Sequence, residues 1–184
     1  MIVDNSSEKL KNAIIFFVRN TKHCGKTKLY KLLYFLDFEH YRDIGRNVTG
    51  LDYYAWPMGP VPKQLHEYLD EPEKHVGDFI QVAARRIGND RSFIEITPKV
   101  EFDHRFFTIR EMKLLGDLSK EYYSARAEDM VEATHLENMP WHSVYEKEGR
   151  RQALIPYEYA LRKGELEIMG ELKNEHEEFR ENYR

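Results

Sequence analysis

The sequence predicts a predominantly helical α+β fold: a single domain with a central apolar helix and a small antiparallel β-hairpin or sheet. Three observations carry this. Thr27 to about Asp43 reads as a helix that is apolar almost all round. Tyr53 to Trp56 is an aromatic, strand-like run leading into a Pro/Gly turn, Trp56 to Pro62. Phe79 to Ile87 and Ser92 to Thr97 flank Gly88, Asn89 and Asp90, the pattern of a hairpin.

The elements follow in order. A first helix spans about Ser6 to Arg19, with Asn5 or Ser6 as cap and Leu10, Ala13, Ile14, Phe17 and Val18 as one apolar stripe. Gly25 and Thr27 open the second helix, and Gly45 stops it. Val48 to Trp56 reads as extended. A short helix then runs from about Pro62 to Leu69, with a proline in its first turn. Glu71 to Gly77 reads as a polar loop before the hairpin. Thr108 and Glu111 form a T-x-x-E capping box, followed at helical spacing by Met112, Leu115, Leu118 and Tyr122. Ser124 is the expected cap of a helix over about Ala125 to His135, and Pro140 and Trp141 start another. The chain ends in a charged helix, Gly164 to Glu181, whose thin stripe of Leu166, Met169, Leu172 and Phe179 suits packing on the domain or on a partner. The expected division is therefore a domain over 1–163 and a C-terminal helix over 164–184.

At 184 residues, with 41% hydrophobic, 13% aromatic and 33% charged residues, the chain is long and apolar enough for one full core and argues against disorder. The single cysteine, Cys24, excludes an internal disulfide. No signal pattern and no apolar run of membrane-spanning length stand in the sequence, so a cytoplasmic location is expected. Residues 1–100 carry 15 Lys/Arg against 13 Asp/Glu, a balance of +2, and residues 101–184 carry 13 against 19, a balance of −6. The net charge of −4 disfavours non-specific nucleic-acid binding.

On a helical wheel, Leu29, Leu32, Leu33 and Leu36 share one arc of the central helix, and Tyr30, Tyr34, Phe38 and Tyr41 the next. Lys28, Lys31, Glu39 and Arg42 form its only polar stripe, with Phe35 inside it. Asp37 breaks the pattern. It is either a site carboxylate or an internal anchor to a loop N–H, and the anchor is the favoured reading. No phosphate loop, dinucleotide fingerprint, zinc-protease helix or nucleophile elbow is present. The eight histidines lack metal-ligand spacing, and Cys24 beside His23 lacks a third group. Neither a catalytic residue, a cofactor nor a metal is expected. Tyr54 and Trp56 serve either as partner anchors or as core.

The run KLYKLLYFLDFEHYRDIG, followed by AWPMGPVPKQLHEYL and later by ATHLENMPW from Ala133 to Trp141, resembles the Panacea domain, the SocA-like and phage-associated antitoxin family. The resemblance spans roughly Lys9 to Leu161. It implies binding rather than catalysis: an antitoxin of a two-gene system that neutralises a small protein toxin by direct contact. The residues that match the family pattern are Lys28, Lys31, Leu32, Tyr34, Trp56, Gly59, Pro60, His135, Pro140 and Trp141, most of them expected to hold the fold; the candidate partner-binding residues are Lys28, Lys31, Tyr34, Tyr54, Trp56, Met58, Gly59, Pro60, His135 and Trp141. The partners implied are the cognate toxin and, for an adaptor that delivers the toxin to proteolysis, a protease or chaperone. Operator DNA is the one nucleic acid to weigh, for an autoregulator. A small hydrolase using Asp37, His135 or His142 is the rival reading.

Overall fold

The computed structural model of the chain describes residues 5–87 and 91–161. Its centre is α2 (Lys26–Ile44), in which every residue from Lys28 to Phe38 is buried. Around it pack α1 (Ser6–Asn20), α5 (Ile109–Glu121), α6 (Ala127–His135) and a 3-10 turn at Tyr157–Ala160. Each fully buried leucine of α2 contributes about 1.5–3 kcal/mol of burial, so Leu29, Leu32, Leu33 and Leu36, all at 0% exposure, anchor the core. The helix stops where Gly45 takes the left-handed conformation, φ 69°, and its N–H meets the Tyr41 carbonyl at 2.7 Å.

The Asp37 carboxylate organises the next segment. It accepts from the Val48 and Thr49 N–H groups (2.8 and 2.7 Å), from the Thr49 hydroxyl and from the Tyr53 hydroxyl (2.7 Å). Burial pushes its pKa up, and the four hydrogen bonds oppose that shift. Residues 48–52 therefore curl around a carboxylate instead of forming the extended run expected from Val48. The strand begins only at Tyr53.

The Pro/Gly stretch is a strand, not merely a turn. β1 (Tyr53–Trp56) pairs antiparallel with β2 (Gly59–Pro62), Trp56 opposite Gly59 and Tyr53 opposite Pro62. Two prolines fit here because the backbone groups of the residues they face turn away from β2. Ala55 exchanges hydrogen bonds with residues 152 and 153 (2.8 and 2.9 Å), and the Tyr53 carbonyl accepts from Ile155 N–H at 2.8 Å. Pro60 and Pro62 thus sit where no N–H is needed toward β1. Pro62 caps α3 (Lys63–Asp70) from outside its first turn. A short helix, α4 (Pro72–His75), occupies the stretch expected to be a polar loop.

β3 (Ile80–Ile87) and β4 (Arg91–Pro98) form the expected hairpin, and its Gly88–Asp90 turn lies outside the described residues. The Thr108–Glu111 capping box is present, and Glu111 also accepts from Lys9 at 2.6 Å, tying α1 to α5. α6 begins two residues later than expected. Its first turn is closed by the Asp129 carboxylate, which accepts from the Arg126 N–H at 2.7 Å, and not by Ser124. At the start of α1, Asn5 makes no side-chain capping bond. Pro140–His142 forms α7, which widens into a π turn over Ser143–Lys147. The architecture is α+β and mostly helical, with two two-stranded antiparallel sheets. Among the described residues no helix is long and apolar enough to cross a membrane. The expected helix over Gly164 to Glu181, and with it the proposed division at 163/164, lies outside the described residues.

Replacing Asp37 by Ala strands two buried N–H groups and two hydroxyls. The expected loss is about 3–5 kcal/mol in urea unfolding, with a smaller loss for Asp37→Asn, which keeps one acceptor oxygen.

Candidate functional site

The expected solvated stripe of α2 is not solvated at its N-terminal half. Lys28 and Lys31 are each 1% exposed, although Arg42 is in water. Lys28 Nζ lies within 2.6–2.8 Å of the carbonyls of Lys22, Tyr122 and Ala125, with the Tyr123 carbonyl at 3.3 Å. Those oxygens come from the α1–α2 corner and from the end of α5, where the helix runs out of its own donors. Lys31 Nζ reaches the other way, to the Pro60 carbonyl at 2.8 Å. Desolvation pushes the Lys31 pKa down to about 7.

Gly59 makes this contact possible. Its φ is +94°, and a Cβ there would lie 2.7 Å from Thr134 Oγ1 and 2.8 Å from Lys31 Nζ. The hairpin, α2 and α6 therefore meet at a point with no room for a side chain. Behind it runs an aromatic stack. His135 lies flat on Trp141 (3.7 Å, 2°), Trp141 on Tyr145 (4.6 Å, 15°), and the Arg151 guanidinium caps Tyr145 at 5.5 Å. Trp141 Nε1 donates to the Trp56 carbonyl at 2.9 Å, which pins the stack to the hairpin. Burial first, and then the nearby Lys31 side chain, push the His135 imidazole below its ordinary value. Among the described residues His135 Nε2 and His142 Nδ1 are buried without hydrogen-bond partners.

The candidate residues thus divide into an interior set and a surface set. Lys28, Lys31, Tyr34, Gly59, Pro60 and Trp141 are buried, so their side chains hold the scaffold and do not face a partner in this conformation. Tyr34 packs on Phe38 and Tyr53, at ring distances of 4.4 and 5.6 Å. Tyr54, Trp56 and His135 are half-buried. Trp56 sets its ring edge-to-face with His66 at 5.1 Å, and His66 Nδ1 is 3.2 Å from the Tyr30 hydroxyl. Met58, at the hairpin tip, is 62% exposed. Asp37 has its oxygens committed to its own loop, which removes it as the base of a hydrolase. Burial pushes the Cys24 thiol up to about 11, so it is not an activated nucleophile at neutral pH. Among the described residues no group of three or more His, Cys, Asp or Glu could hold a metal ion.

Tyr145 and Arg151 went unnoticed in the sequence; Thr134 stood there only as the first residue of the T-H-x(4)-P-W pattern, and His66 only as one of the histidines without metal-ligand spacing. Phe35, standing within the lysine stripe, was the signal that this face is covered, since an aromatic ring there is out of place on a solvated face.

A helix that fixes a proline-bearing hairpin through a buried lysine, with a T-H-x(4)-P-W segment stacked behind it, defines a packed scaffold that presents a rigid turn. The chain belongs to the family of SocA-like antitoxins, the Panacea domain, whose profile matches residues 29–142, more than half of its length. No curated protein and no solved structure matches the chain.

Two measurements probe the junction. Gly59→Ala is expected to cost about 2–4 kcal/mol, from left-handed strain plus the two close contacts, read as a lowered urea midpoint. For Lys31 the comparison is with Lys31→Met across pH. Folding lowers the lysine pKa, so between about pH 7 and the ordinary 10.5 the unfolded chain holds the extra proton. Wild-type stability should therefore rise relative to Lys31→Met as pH increases through that window. A pH-independent difference would show that the folded lysine titrates normally.

Proposed function

We propose that the protein is an antitoxin that neutralises a small protein toxin by direct binding at the Trp56–Gly59 hairpin. Family membership is the observation that carries the reading. The surface around the hairpin supports it. Met58 at 62%, Leu136 at 61% and Leu154 at 42% exposure are large apolar side chains left in water, and Leu154 bridges to Tyr54. Leu136 stands two residues after Thr134, which packs against Gly59. Exposed apolar groups on a rigid support are what an interface hot spot requires. The interior lysines and the Trp141 stack take part by holding the hairpin still, which lowers the entropy lost on association. A stable complex would bury roughly 1,200–2,000 Å² in total.

The test is co-expression with the small protein encoded in the adjacent reading frame. The wild-type chain is expected to restore growth, and the Met58→Asp/Leu136→Asp variant to bind at least about tenfold more weakly, or roughly 1.4 kcal/mol, with an unchanged melting temperature. Absence of any growth rescue by the wild-type chain would sink the reading.

A further inference from the structure

The two hairpins treat their outer edges differently. In the first, residues 152–155 cover β1, while on β2 the prolines lack N–H groups and Lys31 takes the Pro60 carbonyl. In the second, the Lys99 N–H bonds the Phe79 carbonyl at 2.8 Å, which fixes the alternation along the ladder. Counting from that pair, Gln81 with Thr97, Ala83 with Glu95 and Arg85 with Phe93 face inward as hydrogen-bonded pairs. Val82, Ala84 and Arg86 on β3, and Ile94 and Ile96 on β4, turn their backbone groups outward.

The β4 side is occupied. Its strand packs against α1 and α2, and the Ile94 carbonyl comes so close to Gly25 that a Cβ there would lie 2.9 Å from the oxygen. Pro98 has no N–H to offer. On β3 the Ile80 N–H is taken by the Val76 carbonyl at 3.0 Å, but the N–H and C=O groups of Val82, Ala84 and Arg86 have no partner among the described residues. Ala84, Arg85 and Arg86 are exposed. Such an edge is a template for another strand.

We propose that β3 is a strand-addition edge that takes an extended, acidic segment of the protein partner along Val82, Ala84 and Arg86. The identity of that partner rests on the antitoxin reading. Charge selects the occupant. Arg85 and Arg86 project from opposite faces of the strand, and Arg85 answers Glu95 across the ladder while Arg86 has no ion pair among the described residues. A strand laid on this edge runs beside the unpaired Arg86 guanidinium, while Arg85 is already answered by Glu95, so a carboxylate on the Arg86 face of the incoming strand is favoured. A second copy of the chain laid antiparallel would bring two further arginines to the same ribbon, a like-charge arrangement.

The experiment follows amide exchange in the full chain, free and with the purified product of the adjacent reading frame. On binding, the amides of Val82, Ala84 and Arg86 should slow at least about tenfold, while those of Ala83 and Arg85, already inside the ladder, change little. Ala84→Pro deletes the central outward donor and should weaken binding at least about tenfold. Arg86→Glu leaves the backbone intact and should weaken it too, which guards against a folding defect in the proline variant. Unchanged exchange at the three outward amides, or wild-type affinity in both variants, overturns the proposal. So does a free chain that is a dimer with those amides already protected, since a second copy then holds the edge. If the wild-type chain does not bind the product at all, the antitoxin reading fails and this one with it. Binding that ignores β3 sinks only the edge.

Discussion

An ionisable group carried out of water must be met by oriented partners, and α2 carries three such groups in three turns: Lys28, Lys31 and Asp37. Each holds a different piece of chain. Lys28 gathers carbonyls from the α1–α2 corner and the α5–α6 connection, Lys31 takes a carbonyl of β2, and Asp37 collects the donors of the loop that leads into β1. Leucine packing supplies most of the favourable energy but is tolerant of small shifts in register. A buried ammonium with its carbonyls is not, because each misplaced partner leaves a charge uncompensated. The leucines therefore make the core, and the three buried ionisable side chains decide what sits where around it.

Punctuation by chemistry with a local cause was legible in the sequence. Gly45 as a left-handed stop and Thr108 with Glu111 as a capping box both depend on a few neighbouring residues, and both stand in the structure. The second hairpin was legible for the same reason. The β2 strand was not, because prolines argue against a strand until it is known that the residues opposite bond elsewhere. The burial of Lys28 and Lys31 was hidden too: lysines three apart on a helix read as a wet face, and apart from Lys22 their carbonyl partners lie 29 to 97 residues away in sequence. The candidate site suffered most from this. Of its ten residues, only Met58 is exposed; the exposed Leu154 lay in no motif, and the exposed Leu136 stood only at an unspecified position of the T-H-x(4)-P-W pattern.

The family match ends at residue 142, but the folded unit does not. Residues 152–155 supply a second strand-like partner of β1, and Tyr157 stacks on Phe38 at 4.5 Å while its hydroxyl donates to the Leu51 carbonyl at 2.5 Å. This strap closes over the loop that Asp37 gathers. α1 lies outside the match on the other side, yet contributes Ile14 and Phe17 at 0% exposure. What surrounds the matched region is part of the same core.

The chain has only two tryptophans, and they are the two ends of one hydrogen bond, from the Trp141 indole to the Trp56 carbonyl. All of the protein's indole emission therefore originates at the seam between hairpin and aromatic stack. The molecule carries its own fluorophore pair there, one ring shielded and face-on to an imidazole, the other half in solvent at the base of the tip. Excited at the red edge, beyond the absorption of the 12 tyrosines, intrinsic fluorescence reports on this seam without a label.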